Sequence, residues 1–305
     1  MDANRVQLSN PPEISSSSSS FLMTNFVFPV TSLTTTSQML ILLLVTILIL
    51  LNIIFFRLVR ILSRPPPSRR SQPSSANPTH ILIVLGSGGH TAEMLNILFQ
   101  TPCLQLDFTY RTYVVSSGDG FSALKAHELE KSLFADLTSI SGLSIPEGTA
   151  SNYDVATIHR ARKVHQSIYT APFSSLRCLL DCIAVLDGSH RDLKCRHSSR
   201  GYPDLILTNG PGTGVIVVLA SLILLFFGYS GPSPAFTSTS KDSNREVSQP
   251  GGQMRSIFIE SWARVKTLSL SGRLLKPFVN RFIVQWPQLA RSEGSRVEYI
   301  GPLVT

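Results

Sequence analysis

The sequence is poor in cysteine and offers no recognisable metal site. Its 305 residues include only Cys103, Cys178, Cys182 and Cys195, which lack the paired spacing of zinc ligands. Cys178 and Cys182 stand four positions apart, so they share one helix face, and we expect both to be small core residues. The pattern favours a reducing compartment over a disulfide framework. No metal and no cofactor is expected.

The sequence also lacks a nucleic-acid-binding signature. The formal net charge is +8, but much of it comes from arginines between positions 57 and 70. No basic patch interleaved with aromatic residues and no RNA-binding motif accompanies that charge. The charge is therefore poor evidence for nucleic acid as a partner.

Basic residues are almost missing ahead of one long apolar run. Residues 1–38 are polar and serine-rich, which predicts a disordered tail, and Arg5 is their only basic residue. The run Met39–Phe56 has two polar residues, Thr46 and Asn52, and stays largely apolar to position 60. This length suffices to cross a bilayer core, so residues 39–60 predict a transmembrane helix. A cleaved signal peptide or a buried helix is the alternative, which the late start and the flanks disfavour.

Arginines after the run predict its orientation. Five follow it: Arg57, Arg60, Arg64, Arg69 and Arg70. Because positive charge stays on the cytosolic side, the N-terminus is expected in the lumen and the rest of the chain in the cytosol. Residues 61–78 then form a stiff, basic Pro/Ser linker.

Residues 79–305 alternate apolar strand-like runs with helical patterns. The runs are HILIVLG, RTYVVSSGD, PDLILTNG, SIFIES, RFIVQWP and VEYIGPLV, and SALKAHELEKSLF and VKTLSLSGRLLKPFV are among the helical patterns. A loop is expected to lead into IHRARKVHQSIYTAPFSSLRCLLDCIAVL, read as one broken helix or two consecutive helices. Continuous apolar strands alternating with helices indicate a parallel sheet covered on both faces. The prediction is an α/β fold, a single Rossmann-like doubly wound domain.

Two stretches stand apart from this alternation. The apolar run from Val215 to Phe227 is short for a second span, so a buried or surface-lying helix is favoured. Residues 230–253 are polar and rich in Pro, Gly and Ser, which predicts a mobile loop insertion.

Two glycine-rich turns follow predicted strands. The first contains Gly86, Ser87, Gly88, Gly89, His90 and Thr91, and the second contains Asn209, Gly210, Gly212 and Thr213. Glycines let a backbone approach a phosphate closely, and a helix N-terminus adds free N–H groups. Neither the dinucleotide fingerprint nor the phosphate loop with its lysine is present. A diphosphate between the turns is one interpretation; a structural turn with a capping Thr91 and a helix-facing Glu93 is the other.

His90 lies at the mouth of the first turn. Its imidazole is expected to orient or deprotonate an acceptor hydroxyl. A polar hydrogen-bonding role without chemistry is the open alternative.

Six segments in this order resemble one family. VLGSGGHTAEML, YVVSSGD, IHRARKVHQS, LTNGPGTG, IESWARVKTLSLSGRLL and FIVQWPQLA with EYIGPLV resemble the membrane-anchoring subunit of the endoplasmic-reticulum transferase of asparagine-linked glycosylation that makes dolichyl-diphosphate chitobiose. The resemblance covers most of residues 79–305 but neither the N-terminal extension nor the insertion at 230–253. A more distant similarity is to the N-terminal half of MurG.

The resemblance implies one half of a split GT-B glycosyltransferase behind one N-terminal transmembrane helix. A separate soluble catalytic subunit would bind UDP-GlcNAc, and the complex would add the second GlcNAc to GlcNAc-diphosphate-dolichol with inversion. The implied location is the endoplasmic-reticulum membrane, with the contiguous outer nuclear membrane as a second site. The expected partners are that subunit, the dolichol-linked acceptor and the membrane; this chain alone would be inactive.

The same resemblance implies residue roles. The six residues of the first turn would face the acceptor diphosphate, with Asn209, Gly210, Gly212 and Thr213 opposite. Glu260 would position the acceptor sugar or a loop, and Arg160 and Arg162 would add charge to an anionic or lipid-facing surface, their alternative being solvated helix arginines. The final glycine of NGPGTG stands where a different small residue was expected. A pure recruiting scaffold and a self-sufficient MurG-like transferase are the competing functions.

Overall fold

A computed structural model describes the chain in nine segments: residues 35–64, 79–101, 104–141, 152–162, 166, 169–194, 202–210, 212–229 and 252–303. The chain divides into two compact units, residues 1–53 and 54–305. Most of the predicted tail and linker, residues 1–34 and 65–78, lies outside the described residues.

Helix α1 runs from Thr35 to Leu62 and contains the whole of the predicted span. In the described part of the chain it is the one helix long and apolar enough to cross a membrane. Its polar side chains are satisfied within the helix: Thr46 donates to the carbonyl of Leu42 (2.7 Å) and Asn52 to that of Leu48 (2.9 Å). These bonds suit apolar surroundings, where a polar group without a partner is costly.

Seven parallel strands form one sheet in the second unit, in the order β3-β2-β1-β4-β5-β6-β7. The strands are β1 His80–Val84, β2 Tyr110–Ser116, β3 Tyr153–Ile158, β4 Leu205–Thr208, β5 Arg255–Ile259, β6 Arg281–Val284 and β7 Glu298–Tyr299. The further helices are α2 Gly89–Gln100, α3 Leu104–Asp107, α4 Gly120–Ser141, α5 Ala171–Asp187, α6 Thr213–Phe226, α7 Leu270–Leu275 and α8 Pro287–Glu293. The predicted Rossmann-like doubly wound α/β fold is confirmed.

Strand β1 shows how the sequence builds both faces of the sheet. All five of its residues are buried, and their side chains alternate between the faces. Ile81 and Ile83 pack in one hydrophobic cluster with residues of α2 and α4. Leu82 and Val84 pack in another with residues of α5 and α6. A strand that is covered on both sides needs a continuous apolar run, which is what this segment supplies.

The prediction for the segment before α5 was wrong. Strand β3 contains residues 153–157, which were expected in a loop, and Ile158, which was expected to begin a helix. Arg160 and Arg162 follow that strand instead of lying in a helix. The strand is stabilised by pairing with β2, and its buried Asp154 accepts a hydrogen bond from the Tyr110 hydroxyl (2.5 Å). Helix α7 is likewise much shorter than the helical pattern that predicted it.

Helix α6 confirms the buried interpretation of the second apolar run. Eight of its residues are buried, including Val217, Val218 and Leu224, whereas Leu219 is exposed. Of the predicted insertion, residues 230–251 lie outside the described residues. Gly252 and Gln253, at its end, are described outside helices and strands, and the N–H of Gly252 donates to the Asp204 carboxylate (2.7 Å).

Cys178 and Cys182 confirm their prediction as core residues. Both are buried on α5, with their sulfur atoms 4.0 Å apart. The hydrogen bond between them and burial raise the pKa of the Cys182 thiol. A thiol held neutral in this way suits packing better than nucleophilic or redox chemistry.

Candidate functional site

The two glycine-rich turns meet at one edge of the sheet. Strands β1 and β4 are neighbours at the point where the strand order reverses, which is where open α/β sheets bind ligands. A Cβ atom on Gly210 would lie 3.2 Å from the Cα of Gly86, so the two backbones are in direct contact. The side-chain amide of Asn209 donates to the carbonyl of His90 (2.8 Å). The turns therefore form one continuous surface.

The glycines of the first turn serve two different purposes. Gly86 is packed, because a Cβ there would lie 2.7 Å from the Cβ of His90. Gly88, the N-cap of α2, has φ 61° and ψ −121°, a conformation that side chains strongly disfavour. Apart from neighbouring residues of the same turn and helix, no atom of the described residues lies within 4 Å of the positions that Cβ atoms would take on Gly88 and Gly89. The turn thus leaves open space above its backbone, beside the free N–H groups that begin a helix.

The side chain of Thr91 points away from this space. Thr91 is fully buried, and its hydroxyl donates to the carbonyl of Gly86 and bonds the Ser122 hydroxyl (2.7 Å). Only its backbone N–H remains for a ligand. The alternative interpretation, in which Thr91 caps the helix, was wrong in that detail, because Gly88 is the N-cap. Ser87, by contrast, is exposed.

The second turn opens helix α6 in the same manner. Gly212 is the N-cap with φ 64°, and it is followed by Thr213, whose hydroxyl bonds that of Ser116 (2.9 Å). Two helix N-termini, those of α2 and α6, therefore follow adjacent strand ends. Each carries partial positive charge and donors that favour an anion.

Packing explains why the final residue of this turn, Gly214, is a glycine. A Cβ on Gly214 would lie 2.1 Å from the hydroxyl oxygen of Thr208 and 3.3 Å from its Cβ. Any other small residue would carry a Cβ atom, so the expected one does not fit while Thr208 keeps this position.

His90 occupies the first turn of α2 with its side chain 31% exposed. Its Nδ1 lies 3.9 Å from Oε2 of Glu93, one helical turn later. The ring is thus partly open to the turn and backed by a buried carboxylate. That arrangement suits either proton transfer or positioning.

A buried polar network adjoins His90. The sequence analysis named Glu93 and Glu260 but missed Gln285 and the hydrogen bonds that connect them. Oε1 of Glu93 accepts from the backbone N–H of Trp262 (2.6 Å) and from the side-chain amide of Gln285. Gln285 also donates to the carbonyl of Glu260 (3.1 Å). The only sequence feature that could have indicated this network is the position of Glu260 and Gln285, which directly follow the apolar strands β5 and β6.

Glu260 is bonded to the loop that follows it. Its Oε2 accepts from the backbone N–H (3.0 Å) and hydroxyl (3.1 Å) of Ser269, and its Oε1 accepts from the N–H of Ser261 (3.2 Å). A Cβ on Gly272 would lie 2.3 Å from Oε2. Of the two expected roles, these contacts support loop positioning.

Arg160 and Arg162 flank the second turn. Ala161 between them lies against Gly212, where a Cβ would be 3.8 Å from the Ala161 methyl carbon. Arg160 is half-buried, and Arg162 is exposed and donates to the carbonyl of Gln166 (3.4 Å). The structure therefore brings these arginines to the same edge as the glycine turns.

His159 is fixed by Asp181 of α5. The carboxylate accepts from the backbone N–H (2.8 Å) and the ring Nδ1 (2.5 Å) of His159. Burial acts to raise the pKa of Asp181, but these contacts outweigh it and lower the pKa below its usual range. Among the described residues, no cluster of three or more His, Cys, Asp or Glu side chains is arranged to hold a metal ion.

The chain is similar to known proteins over most of its length. A family described as "Oligosaccharide biosynthesis protein Alg14 like" matches residues 81–303. A relative from Aspergillus fumigatus, named UDP-N-acetylglucosamine transferase subunit alg14, is 44% identical over 213 residues, covering 65% of this chain and 93% of the relative. Relatives of the same name from Schizosaccharomyces pombe and Rattus norvegicus are 37% and 33% identical, each over 73% of this chain and 82% of the relative.

A bacterial structure shows a weaker likeness. MurG of Acinetobacter baumannii superposes with a TM-score of 0.39 at 13% identity, and the match covers 73% of this chain and 45% of MurG. The family match over residues 81–303 and the similarity to fungal and mammalian relatives establish the family of this chain. The chain belongs to the Alg14-like family of oligosaccharide biosynthesis proteins.

Proposed function

We propose that this chain is the acceptor-side, membrane-anchoring subunit of a UDP-GlcNAc transferase that adds the second GlcNAc to GlcNAc-diphosphate-dolichol. The relatives carry the name of a UDP-N-acetylglucosamine transferase subunit, which supports the donor and the complex. A two-domain enzyme of this type needs a second Rossmann-like half, and the described residues hold one such sheet. A soluble partner subunit supplies that half and binds UDP-GlcNAc.

The proposed arrangement in the membrane follows from α1. Residues 1–38 are a lumenal tail, residues 39–60 span the endoplasmic-reticulum membrane, and residues 61–78 link the span to a cytosolic domain at 79–305. The apolar length of α1 and the arginines that follow it support this arrangement.

The joined glycine turns are the observation that carries the acceptor site. Open space above Gly88 and Gly89 lets phosphate oxygens reach backbone N–H groups of α2, while α6 presents Gly212 and Thr213 from the other side. Two helix N-termini stabilise a diphosphate better than one, because each adds donors and partial positive charge. Arg160 and Arg162 add positive charge beside the second turn.

The proposed chemistry is direct displacement with inversion. The acceptor hydroxyl attacks the anomeric carbon of UDP-GlcNAc, the bond to the UDP oxygen breaks, and UDP leaves on the partner's side. His90 takes the hydroxyl proton as the new bond forms. The Glu93 carboxylate near Nδ1 would stabilise the imidazolium that results.

The test is a transfer assay with UDP-GlcNAc and a short-chain GlcNAc-diphosphate lipid. The full chain alone should be inactive, and adding the soluble partner should give product. His90→Ala with partner present should lower kcat by about 10²–10⁴-fold while partner binding persists. Normal transfer by His90→Ala would show that His90 has no catalytic role and would favour the recruiting-scaffold alternative. Transfer without the partner would show that the chain is a self-sufficient enzyme.

A further inference from the structure

A cavity lies at the edge of the sheet opposite the glycine turns. It measures about 660 Å³ and is lined by the first residues of four strands: Leu205 of β4, Arg255 of β5, Arg281 of β6 and Glu298 of β7. Because these strands are parallel, their starts lie at the edge away from the glycine turns. Leu62, Ser63 and Arg64, where α1 ends, form another wall. All of these residues belong to the second compact unit.

The charged residues that line the cavity are mostly cations. The lining contains five basic residues and one acidic residue, Glu298. The basic residues are Arg64, Arg255, Lys276, Arg281 and Arg296. Glu298 pairs with Arg281, and Lys276 pairs with Glu293 at 2.8 Å. The guanidinium of Arg64 instead donates to the backbone carbonyl of Gln253 (3.2 Å), and that of Arg296 to Pro277 (3.4 Å). The lining is therefore net positive.

Arg64 and Arg255 are held together at some electrostatic cost. Arg255 donates to the carbonyl of Arg64 (3.2 Å), which brings the two residues into contact. Burial lowers the pKa of both guanidinium groups, and the charge of Arg64 further lowers that of Arg255. An anion in the cavity would offset both effects, because it stabilises the charged form of each side chain.

We propose that this cavity binds the phosphate-bearing headgroup of an anionic membrane lipid. Guanidinium groups match phosphate oxygens with paired N–H donors, and the volume lies in the range of small-molecule sites. A lipid is the favoured source because one wall consists of the residues that end the apolar helix α1, where a headgroup would be found. This inference rests on the membrane anchoring of the proposed function.

The test titrates the full chain in detergent with phosphatidic acid or phosphatidylcholine and counts retained lipids by native mass spectrometry. Phosphatidic acid should be retained selectively. Arg296→Gln and Arg64→Gln should each weaken retention about fivefold, the effect of one basic side chain near a lipid surface. Arg291→Gln, an exposed arginine of α8 outside the cavity, is the matched control and should bind normally. Circular dichroism would verify that each variant is folded; Arg296 is exposed, so its replacement should not disturb the fold.

Equal retention by the cavity variants and the control would overturn the site. Competition by inorganic phosphate or glycerol phosphate at concentrations as low as those of phosphatidic acid would overturn the lipid assignment in favour of a soluble anion. The lipid titration needs neither the partner subunit nor the donor sugar. Selective lipid binding without transferase activity would therefore refute the proposed function alone, and normal transfer without selective retention would refute this inference alone.

Discussion

The side-chain amide of Asn209 donates a 2.8 Å hydrogen bond to the carbonyl of His90, 119 positions earlier. This bond joins the two turns that the proposed acceptor site requires. Asn209→Ala should cost about 0.5–1.5 kcal/mol of stability, the usual worth of one hydrogen bond. It should lower kcat/KM for the acceptor lipid roughly tenfold or more, because small displacements of catalytic groups are costly. Asn96→Ala, farther along α2, is the control for both urea unfolding and transfer; equal activity of the two variants would contradict the prediction.

Gly88 and Gly89 should respond differently to alanine. Gly88 has positive φ, so Gly88→Ala should destabilise the fold by about 1–3 kcal/mol. Gly89 begins α2 in open space, and Gly89→Ala should leave stability unchanged or raise it by up to about 1 kcal/mol. Its methyl group should nevertheless raise the KM for the acceptor lipid, because it would cover the backbone that phosphate oxygens approach. A normal KM of Gly89→Ala for the acceptor lipid would contradict the proposal that the diphosphate binds at this turn.

Gly214 and Thr208 should be energetically coupled. Gly214→Ala places a methyl group against the Thr208 hydroxyl and should destabilise the fold by about 1–3 kcal/mol. Thr208→Ala removes that hydroxyl, which is buried and has no hydrogen-bond partner among the described residues. The double variant should therefore recover about 0.5 kcal/mol or more relative to the sum of the single changes. Strict additivity in urea unfolding would contradict this.

Glu93 should control the surroundings of both tryptophans. The chain contains two, Trp262 and Trp286, whose rings lie 4.5 Å apart, and Glu93 accepts from the backbone of Trp262. Glu93→Ala leaves that N–H and one N–H of the Gln285 amide without their acceptor, at a cost of about 1–3 kcal/mol each, while the amide keeps its bond to the Glu260 carbonyl.

Tryptophan emission measures this directly. Emission from Glu93→Ala should shift to longer wavelength in the folded protein, and Glu93→Gln, which keeps one acceptor oxygen, should shift less. Glu128→Gln, an exposed change on α4, is the control. Unchanged emission from Glu93→Ala would show that the loop holds its place without this carboxylate.

Asp181 should contribute to acid sensitivity. Its pKa is lower in the folded protein, so the unfolded chain binds the proton more readily. The stabilisation is then fully present above the ordinary carboxyl pKa of about 3.9 and is lost as the pH falls through the lowered value. Asp181→Asn should therefore lose less stability than the parent chain below about pH 4. Urea midpoints across that range measure this, with Asp107→Asn, an exposed change, as control; parallel pH profiles would refute the assignment.

Most of the sheet was predictable because its information is local. The β1 segment is apolar at four of five positions, and a strand buried on both faces must be so. Strand β3 was missed because it lies at the sheet's edge and carries Asp154 and Thr157 among its six residues. Its stability comes from backbone pairing with β2 and from the Tyr110 hydroxyl, neither of which its own residues reveal.

The candidate site likewise has features that the local sequence predicts and contacts that it does not. The neighbouring positions of the glycine turns follow from strand order, which the α/β pattern suggests. The contact between Glu93 and Gln285 joins side chains 192 positions apart, and no local pattern encodes such a pairing. The inward direction of the Thr91 hydroxyl likewise depends on Ser122, which belongs to another helix.

The pairing of β1 with β4 has a consequence for synthesis. The N–H of His80, the first residue of β1, bonds the carboxylate of Asp204, which lies 124 positions later and just ahead of β4. At roughly 5–20 residues per second, a ribosome needs about 6–25 s to make the intervening chain. During that interval one edge of β1, a strand buried on both faces in the finished protein, has no neighbour. Chaperone engagement is therefore expected in that window, and it should end once β4 has emerged.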